Sequence, residues 1–444
     1  MTALSAKVPG HTGRYIPLPK ETRNSKGEST VAMDCEDIID AKKVRSYFPA
    51  LAGGTALFNN ASGTVVLKDA VERSSQLMYS LPMPGGVDTK SMEAINAYVN
   101  NKREVAAFLN ASRDEITFGQ STTCLFRLLG LSLRPLLNDD CEIICSTLCH
   151  EAAASAWINL ARDLGITIKW WSPNHDHLDD PHLTVESLKP LLTPKTRIVT
   201  CNHVSNVIGT IHPILEIADA VHKVPGCMLI VDGVACVPHR PVDVKALDVD
   251  FYCFSWYKAF GPHMGTLYAS RKAQDRYMTS INHYFVPSTA LDGKLYLGMP
   301  SFELQIMCSP IVRYLQHDVG WEVIIAQETL LIKVFLNYLL SKPSVYRVFG
   351  RQTSDPDQRV SIVTFEVLGR ESADIVTKIN TNNRFRVVYG ECLAPRPTRD
   401  VLKPRSSDGL IRVSFVHYNT IGEVTAFCDE LDDIVTQADR YAGV

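Results

Sequence analysis

The sequence has little excess charge and no long run of basic or apolar residues. Its 444 residues include 45 lysines and arginines against 48 aspartates and glutamates, a formal net charge of −3. Without a basic run, the sequence offers no cluster of positive charge that could bind the phosphates of a nucleic acid or an anionic membrane surface. No stretch reaches the roughly 18 uninterrupted apolar residues of a membrane span. We therefore expect neither nucleic acid nor membrane as a partner.

Signals for export, nucleotide binding and metal binding are also missing. The segment MTALSAKVPGHTGRY lacks the apolar core of a secretory signal, so the 12 cysteines are interpreted as reduced thiols of a cytoplasmic protein. The chain has no P-loop and no GxGxxG. Cys141, Cys145 and Cys149 alternate within an apolar run, which favours core packing over zinc ligation. His150 begins an HExxH-like string, but Ala154 stands where the second histidine belongs, so no metal site is expected.

The sequence divides into three regions that differ in composition and in apolar pattern. Residues 1–40 are rich in proline, glycine, serine and threonine without periodicity, which predicts a partly disordered arm. Residues 41–310 alternate short apolar runs with amphipathic stretches, the pattern of a mostly parallel sheet covered by helices. Residues 311–444 turn to long helical periodicity and further strand candidates. The fold class is therefore α/β, with a large domain followed by a smaller C-terminal α+β domain.

Apolar periodicity locates the individual elements. The predicted helices are EAAASAWINLARDL, PILEIADAVHK, IVRYLQHDVGWEVIIAQETLLIKVFLNYLL and a last one near residues 429–442. The predicted strands are CEIICST, ITIKWW, RIVTCNHV, MLIVDG, DFYCFS, GTLYAS, VSIVTFEVLG and LIRVSFVHY.

Polar side chains follow four of the predicted strands. His150, Asn206, Asp232 and Lys258 each lie at or just beyond the end of a strand. In an open parallel sheet, ligands bind outside the carboxyl ends of the strands, where these loops converge. Each residue alone has a structural explanation, as a core histidine, a turn former, a helix cap or a surface amine. All four together favour a functional site.

Two further features extend this site. In FGQSTTCLFRLLG, Ser121, Thr122 and Thr123 precede an apolar helical run, so hydroxyls and free N–H groups meet at a helix N-terminus. This is an anion site or a plain helix cap. Arg412, in LIRVSF, has the planar fork that suits a carboxylate, although a lone strand arginine is more often a surface residue.

A phosphate site, an aspartate, an imidazole and a lysine are the parts that pyridoxal phosphate requires. Lys258 would form the imine with the cofactor aldehyde and then act as the proton-transfer base. Asp232 would pair with the pyridinium nitrogen, so that carbanion charge drains into the ring. The His150 imidazole would lie over the ring face.

The longest motif is VDGVACVPHRPVDVKALDVDFYCFSWYKAFGPHMGTLYASR. On this motif the sequence resembles the class V aminotransferase family, the cysteine-desulfurase-like branch of fold type I pyridoxal-phosphate enzymes, over about residues 57–432. The resemblance carries the family's pyridinium aspartate onto Asp232 and its Schiff-base lysine onto Lys258. It implies a mostly parallel seven-stranded sheet, and a homodimer with the active site at the subunit interface.

Other motifs of the family carry further roles. CNHVSNVIGTIHPILEIADAVHK implies that Asn206 lies near the phenolic oxygen of the cofactor, and STLCHEAAASAW implies that His150 is the stacking histidine. LFNNASGT is similar to the substrate-side motif, with Asn60 as the contact. FVHYNT after Arg412 completes the carboxylate-binding signature.

The sequence departs from the family pattern at several positions. Ala235 replaces a usual glutamine near the cofactor oxygen. Tyr257 replaces a histidine on the phosphate side, which leaves Ser255 to serve there. In LYLGMPS, similar to a segment that reaches the partner's phosphate, Met299 stands where threonine is common. These changes argue against desulfurase chemistry and leave cofactor binding intact.

The loop VVYGECLAPRP argues in the same direction. In the related desulfurases a comparable loop carries the cysteine that accepts sulfur, commonly after Gly-His-His. Here Cys392 follows Gly390 and Glu391, one residue short and without histidine. We interpret Cys392 and Leu393 as an apolar wall of the substrate pocket rather than a sulfur carrier.

Enzymes of this branch commonly act at the β-carbon of an amino acid. Over the whole chain, the resemblance is to a fungal decarboxylating branch in secondary metabolism. It implies that L-aspartate loses CO₂ and that the enamine attacks an aldehyde, giving a γ-hydroxy α-amino acid. Two alternatives stay open: a cysteine desulfurase that releases alanine, and a non-catalytic relative of the same fold.

Overall fold

The computed structural model describes residues 22–23, 29–30, 36–80, 86–173, 179–286 and 289–441. Most of the predicted N-terminal arm lies outside the described residues. The strands are β1 (Thr22–Arg23), β2 (Ser29–Thr30), β3 (Ala56–Leu57), β4 (Ile116–Gly119), β5 (Glu142–Ser146), β6 (Thr167–Trp171), β7 (Thr196–Asn202), β8 (Met228–Asp232), β9 (Phe251–Ser255), β10 (Gly265–Ala269), β11 (Tyr346–Phe349), β12 (Ile362–Val367), β13 (Phe385–Arg386), β14 (Val388–Gly390) and β15 (Leu410–Ser414).

Helices occupy most of the connections between these strands. They are α1 (Ala41–Ser46), α2 (Lys68–Ser80), α3 (Thr89–Phe108), α4 (Thr122–Leu133), α5 (Glu151–Leu164), α6 (Val185–Leu188), α7 (Ile214–Val221), α8 (Arg271–Tyr277), α9 (Leu291–Leu295), α10 (Phe302–Gln305), α11 (Cys308–Arg313), α12 (Trp321–Leu340), α13 (Ser372–Thr381) and α14 (Ile421–Tyr441).

The central sheet has seven strands in the order β4-β10-β9-β8-β7-β5-β6. Strand β10 is antiparallel to both of its neighbours, and the remaining strands run parallel to one another. The strands from β5 to β10 are almost fully buried apart from β6, because helices cover both faces. The predicted α/β class with a mostly parallel seven-stranded sheet is confirmed.

A second sheet follows in the C-terminal part, in the order β11-β12-β15-β14 and antiparallel throughout. Apolar side chains of α12, α13 and α14 pack with it into a separate core cluster. This is the smaller α+β unit that the sequence predicts.

Helix α12 is long and apolar enough to cross a membrane by composition, with a mean hydropathy of 1.6 over its most apolar window. In the structure, more than half of that window is buried inside the protein. Two polar side chains near its middle, Gln327 and Glu328, are fully buried. The Glu328 carboxylate lies 3.0 Å from His239 Nδ1 and 3.7 Å from Arg240 Nη1, both in the loop after β8. Within the described residues, α12 is therefore a core helix.

The structure corrects several element boundaries. The long helix predicted before residue 340 is broken at Gly320, whose φ of 90° ends a π-turn over Tyr314–Val319. Pro213 is the N-cap of α7 rather than a first-turn residue. Strands β3, β4, β11, β13 and β14 were not predicted from the sequence, and neither was the antiparallel direction of β10.

Candidate active site

Lys258 ends a short turn that follows β9 and is buried, with 7% of its surface exposed. Its amine makes no hydrogen bond or ion pair within the described residues; the nearest ring, that of Tyr257, has its centroid 5.7 Å away. Burial and, to a smaller extent, the nearby Arg412 guanidinium lower the pKa of Lys258 to about 8, against a smaller opposing effect of Asp232. The site therefore holds an amine that is easily deprotonated.

Asp232 is the last residue of β8, in register with Asn202 at the end of β7. One carboxylate oxygen accepts a hydrogen bond from the Val234 N–H at 3.0 Å. Burial raises the pKa of Asp232, against the opposing effects of that N–H and of Lys258. A buried carboxylate of this kind is stabilised by a cation placed beside it.

His150 is the N-cap of α5, and its Nδ1 accepts a hydrogen bond from the Ala152 N–H at 3.0 Å. The accepting role of Nδ1 assigns the ring proton to Nε2. Burial, Lys258 and Arg412 together lower the pKa of His150 to about 4, so the imidazole is neutral at physiological pH. A neutral ring fixed by a helix terminus can lie flat against an aromatic ligand.

The N-terminus of α4 forms the opposite side of the site. Ser121 is its N-cap, and the Ser121 hydroxyl accepts a hydrogen bond from the Cys124 N–H. The Thr122 and Ser255 hydroxyls are hydrogen-bonded to each other at 2.7 Å. First-turn N–H groups have no partner inside a helix, so this end of α4 both caps itself and remains able to bind an anion.

These elements enclose one cavity of about 110 Å³, partly open to solvent. It is lined by Ser121, Thr122, Thr123, His150, Ala152, Asn202, Val204, Asn206, Asp232, Val234, Ala235, Ser255, Tyr257 and Lys258. All eight residues assigned to the cofactor from the sequence lie in this lining. A larger cavity between α6 and α7 contains none of them. Within the described residues, no group of three or more His, Cys, Asp or Glu side chains is placed to hold a metal ion.

Sequence reasoning missed Asn202, although it ends β7 as Asp232 ends β8, and the same strand-end rule would have found it. Tyr257 was noted only as a departure, yet its ring lines the cavity and stacks on His263 with centroids 4.8 Å apart. The Ala235 side chain also lies in the lining, where a longer polar residue was expected.

Arg412 is not a surface residue, because β15 places it in the interior with 3% of its surface exposed. Its Nη1 donates to the Asn206 carbonyl at 2.8 Å, and its Nη2 donates to the Ser62 hydroxyl at 2.6 Å. The Nε atom is buried without a partner. Arg412 is therefore a fixed cation that retains donor capacity beside the cavity.

The structure does not bring Asn60 to the cavity. Its Nδ2 donates to the carbonyl groups of Leu57 and Ser414, and its Oδ1 accepts from the Tyr418 hydroxyl. These bonds leave no free polar group for a substrate. Its neighbour in the same motif, Ser62, reaches Arg412 instead.

Cys392 and Leu393 form a tight turn at the edge of the site. Both are in the left-handed region, with φ of 52° and 54°. The Asn206 side-chain amide donates to the Cys392 carbonyl at 3.0 Å. Cys392 packs against an apolar cluster that includes Val207 and Ala394, whereas the Leu393 side chain is 73% exposed. The turn is thus attached to the cavity wall through Asn206.

The donor set fits pyridoxal phosphate. Lys258 offers an amine without a partner, and Asp232 offers a buried carboxylate with an unused oxygen. Asn202 and Asn206 each have a buried Oδ1 without a hydrogen-bond partner. The N-terminus of α4 completes the set with an anion site. Buried polar atoms are rarely left unpaired, so these atoms indicate a polar ligand.

A buried lysine and a buried aspartate at the carboxyl edge of this sheet, beside the N-terminus of α4, define a fold type I pyridoxal-phosphate enzyme. The chain belongs to the class V aminotransferase family, whose model, described as Aminotransferase class-V, matches residues 56–427. Members of this family use pyridoxal phosphate, act on small amino acids and are typically dimeric. This membership sets aside the non-catalytic alternative.

Individual relatives agree with this assignment. The chain is 74% identical to the cysteine desulfurase-like protein ustD of Aspergillus flavus, over 93% of this chain and 94% of the relative. It is 57% identical to the nonribosomal peptide synthetase-like enzyme fsqF of Aspergillus fumigatus, over 88% of this chain and 26% of that protein. The apo cysteine desulfurase of Thermococcus onnurineus NA1 has the same fold, with a TM-score of 0.80 at 24% identity over 89% of this chain and 98% of that chain.

Proposed function

We propose that the enzyme catalyses a decarboxylative aldol addition. L-Aspartate loses its β-carboxylate as CO₂, and the β-carbon then attacks an aldehyde to give a γ-hydroxy α-amino acid, as in fungal secondary metabolism. The observation that favours this reaction over sulfur transfer is the way in which Cys392 is fixed in the structure. Its side chain packs against an apolar cluster, and its carbonyl is bonded to Asn206. A sulfur carrier has to move between substrate and acceptor, and this attachment opposes such movement.

In this proposal, pyridoxal phosphate supplies an electron sink conjugated to the α-carbon of the substrate. Lys258 would hold the cofactor and would move protons at the α-carbon of the substrate. Asp232 would keep the pyridine nitrogen protonated, and the neutral His150 ring would pack against the cofactor. Ser121, Thr122, Thr123 and Ser255 would hold the phosphate through the hydroxyls and N–H groups around the start of α4.

The substrate side is formed by Arg412, Asn206 and the turn. Arg412 binds the α-carboxylate, because it is a buried cation with donor capacity. Asn206 contacts the phenolic oxygen of the cofactor. Cys392 and Leu393 lie at the edge of the site and not in the cavity lining, and there they would shape the approach of the aldehyde. Asn60 takes only an indirect part, by fixing the loop that carries Ser62.

A cysteine desulfurase is the second candidate, since the relative in Aspergillus flavus is named cysteine desulfurase-like. In that reaction L-cysteine gives alanine, and Cys392 receives the sulfur. The two reactions differ in the group that leaves the β-carbon, which is sulfur in one and CO₂ in the other.

The test is incubation of the purified holoenzyme with L-aspartate and benzaldehyde, with L-cysteine in place of aspartate as the control. We expect release of CO₂ and formation of the coupled amino acid, and we expect Lys258→Ala to abolish both. Cys392→Ser should retain turnover of aspartate. Sulfide and alanine formed from cysteine, with complete loss of that activity in Cys392→Ser, would replace our proposal by the desulfurase.

Three further assignments complete the proposal. The chain has a large cofactor-binding domain at residues 41–310 and a small domain at residues 311–444, after an arm at residues 1–40. It forms a homodimer with the active site at the subunit interface, and it acts in the cytoplasm on small molecules. The 11 cysteines among the described residues are all free, which supports a reducing compartment.

A further inference from the structure

Arg396 lies outside the cavity and holds the loop that carries the turn of Cys392 and Leu393. It begins a π-turn, Arg396–Leu402, directly after that turn. Its guanidinium donates to the Glu151 carboxylate and stacks on the Trp170 ring, with 4.6 Å from the guanidinium carbon to the ring centroid. The Arg396 side chain is only 27% exposed in this arrangement.

Glu151 connects Arg396 to the active site. It is the first residue of α5, next to the N-cap His150. Its N–H donates to the Leu393 carbonyl at 3.0 Å, while its carboxylate accepts from Arg396. One residue therefore holds the loop at two points, through its backbone and through its side chain.

The turn depends on such outside contacts. Two successive residues with side chains, Cys392 and Leu393, have positive φ, a conformation that L residues rarely adopt. Within the turn, the Ala394 N–H donates to the Glu391 carbonyl at 2.9 Å.

Arg399 and Thr398 bond to Glu391 on the near side of the turn, and Thr398 also bonds to the Ala394 carbonyl. Asn206 holds the Cys392 carbonyl, and the contacts of Glu151 and Arg396 hold the side of Leu393. Removal of the ion pair between Arg396 and Glu151 therefore loosens the turn on the side of Leu393.

We propose that Arg396, held between Glu151 and Trp170, is a positioning residue that sets the preference for the aldehyde by fixing the turn of Cys392 and Leu393. This inference rests on the proposed function, because it assigns the turn to the aldehyde site. Arg396 is not in the cavity lining, so it acts through the turn and not on the substrate. Among the described residues, no hydrogen bond or ion pair joins it to Arg412, the proposed carboxylate-binding residue.

The first test compares Arg396→Gln and Glu151→Gln with the double variant. We expect each single variant to raise the KM for benzaldehyde roughly three- to tenfold, the range for loss of one charge-assisted hydrogen bond. The KM for aspartate and the cofactor absorbance should stay unchanged. More alanine should form, because the β-carbon takes a solvent proton when the aldehyde is poorly held. The double variant should match the single variants, because both remove the same contact.

The matched control is Arg370→Gln, which removes a partly buried arginine from an ion pair with Asp374, a pair that includes no residue of the turn. It should leave the KM for benzaldehyde unchanged. An unchanged KM for benzaldehyde in both Arg396→Gln and Glu151→Gln would overturn the proposal. An equal rise in the KM for benzaldehyde and the KM for aspartate would also overturn it, because such a rise indicates a general structural effect.

A second measurement does not depend on the reaction. Alkylation of Cys392 in the holoenzyme by iodoacetamide, followed by peptide mass spectrometry, reports how firmly the turn is held. We expect roughly three- to tenfold faster modification in Arg396→Gln and Glu151→Gln than in the wild type or Arg370→Gln. If the wild type forms no coupled product but this acceleration occurs, the proposed function fails and the positioning role stands. An unchanged alkylation rate refutes the positioning role, whichever reaction the enzyme catalyses.

Discussion

At the scale of single residues, the site depends on two cations and one anion, Lys258, Arg412 and Asp232, that are all buried. Burial lowers the pKa of Lys258 most, the Arg412 guanidinium lowers it further, and Asp232 only partly compensates. Arg412 is always charged in proteins, so the cost falls on Lys258. The surroundings of the lysine therefore lower its pKa, and no dedicated base is needed to explain its easy deprotonation.

This environment predicts the pH dependence of cofactor attachment. Only the neutral amine of Lys258 attacks the cofactor aldehyde. With a pKa of about 8, that form predominates above pH 8 and is lost below it. The rate at which apoenzyme takes up pyridoxal phosphate, followed by absorbance, should therefore rise with a midpoint near pH 8. An ordinary lysine would give a midpoint near pH 10.4.

Arg412→Gln provides the internal check on this explanation. Loss of the neighbouring positive charge makes protonation of Lys258 easier, so its pKa rises and the midpoint moves to higher pH. A midpoint that is unchanged in Arg412→Gln would show that burial alone sets the pKa of Lys258.

At the scale of elements, the phosphate side depends on the close approach of β10 to the start of α4. A Cβ atom on Gly265 would lie 2.8 Å from the Thr122 backbone nitrogen and 2.9 Å from the Ser121 backbone carbon. Backbone atoms cannot move aside as a flexible side chain can. The absence of a side chain at Gly265 therefore sets the position of the whole anion site.

Gly265→Ala should push the N-terminus of α4 away from β10. We expect roughly tenfold or greater weakening of pyridoxal phosphate binding, and destabilisation by about 1–3 kcal/mol from overpacking. Equilibrium dialysis and thermal unfolding measure the two effects. Gly53→Ala is the control, since a Cβ there meets nothing within 4 Å and φ is not positive. Equal cofactor affinity in the two variants would contradict this account of the site.

The elements also show where sequence reasoning succeeds and where it fails. Apolar runs predicted the buried strands well, because a strand covered on both faces has a continuous apolar sequence. The same argument cannot give strand direction, so β10 was not recognised as antiparallel. The helical periodicity of the sequence also continues across Gly320, so a single helix was predicted there. The φ of 90° at Gly320 breaks the helix without changing the apolar pattern.

At the scale of the whole molecule, the single chain leaves large apolar side chains exposed. Tyr79, Val87 and Tyr284 are each more than 90% exposed, and Phe285 is 70% exposed. Tyr284 and Phe285 lie together, with ring centroids 5.6 Å apart, and adjacent exposed aromatic side chains favour an association surface. A second copy of the chain is the partner that the typical dimer of the family indicates.

We therefore expect sedimentation to give twice the chain mass of 49.3 kDa. Replacement of Tyr284 and Phe285 by serine should shift the protein toward monomer and reduce turnover, because the site lies at the proposed interface. Leu215→Ser, which changes an exposed apolar residue on α7, serves as the control. A fully active monomer at micromolar concentration would refute the shared site.

The site could be predicted from the sequence to the extent that it depends on strand ends. His150, Asn206, Asp232 and Lys258 follow from that rule, and all four line one cavity. The contacts of Asn60 did not follow, because its partners Ser414 and Tyr418 lie more than 350 residues away in sequence. Such pairings depend on how the two sheets meet, which no local pattern records.

The buried carboxylate of α12 has a mechanical consequence. Glu328 belongs to a helix that packs with the small sheet, yet its hydrogen-bond and charge partners, His239 and Arg240, extend from the large one. Separation of the two sheets would break these buried contacts, at a cost of about 3–5 kcal/mol. We therefore expect movements that admit reactants to occur in loops at the edge of the cavity and not between the two sheets.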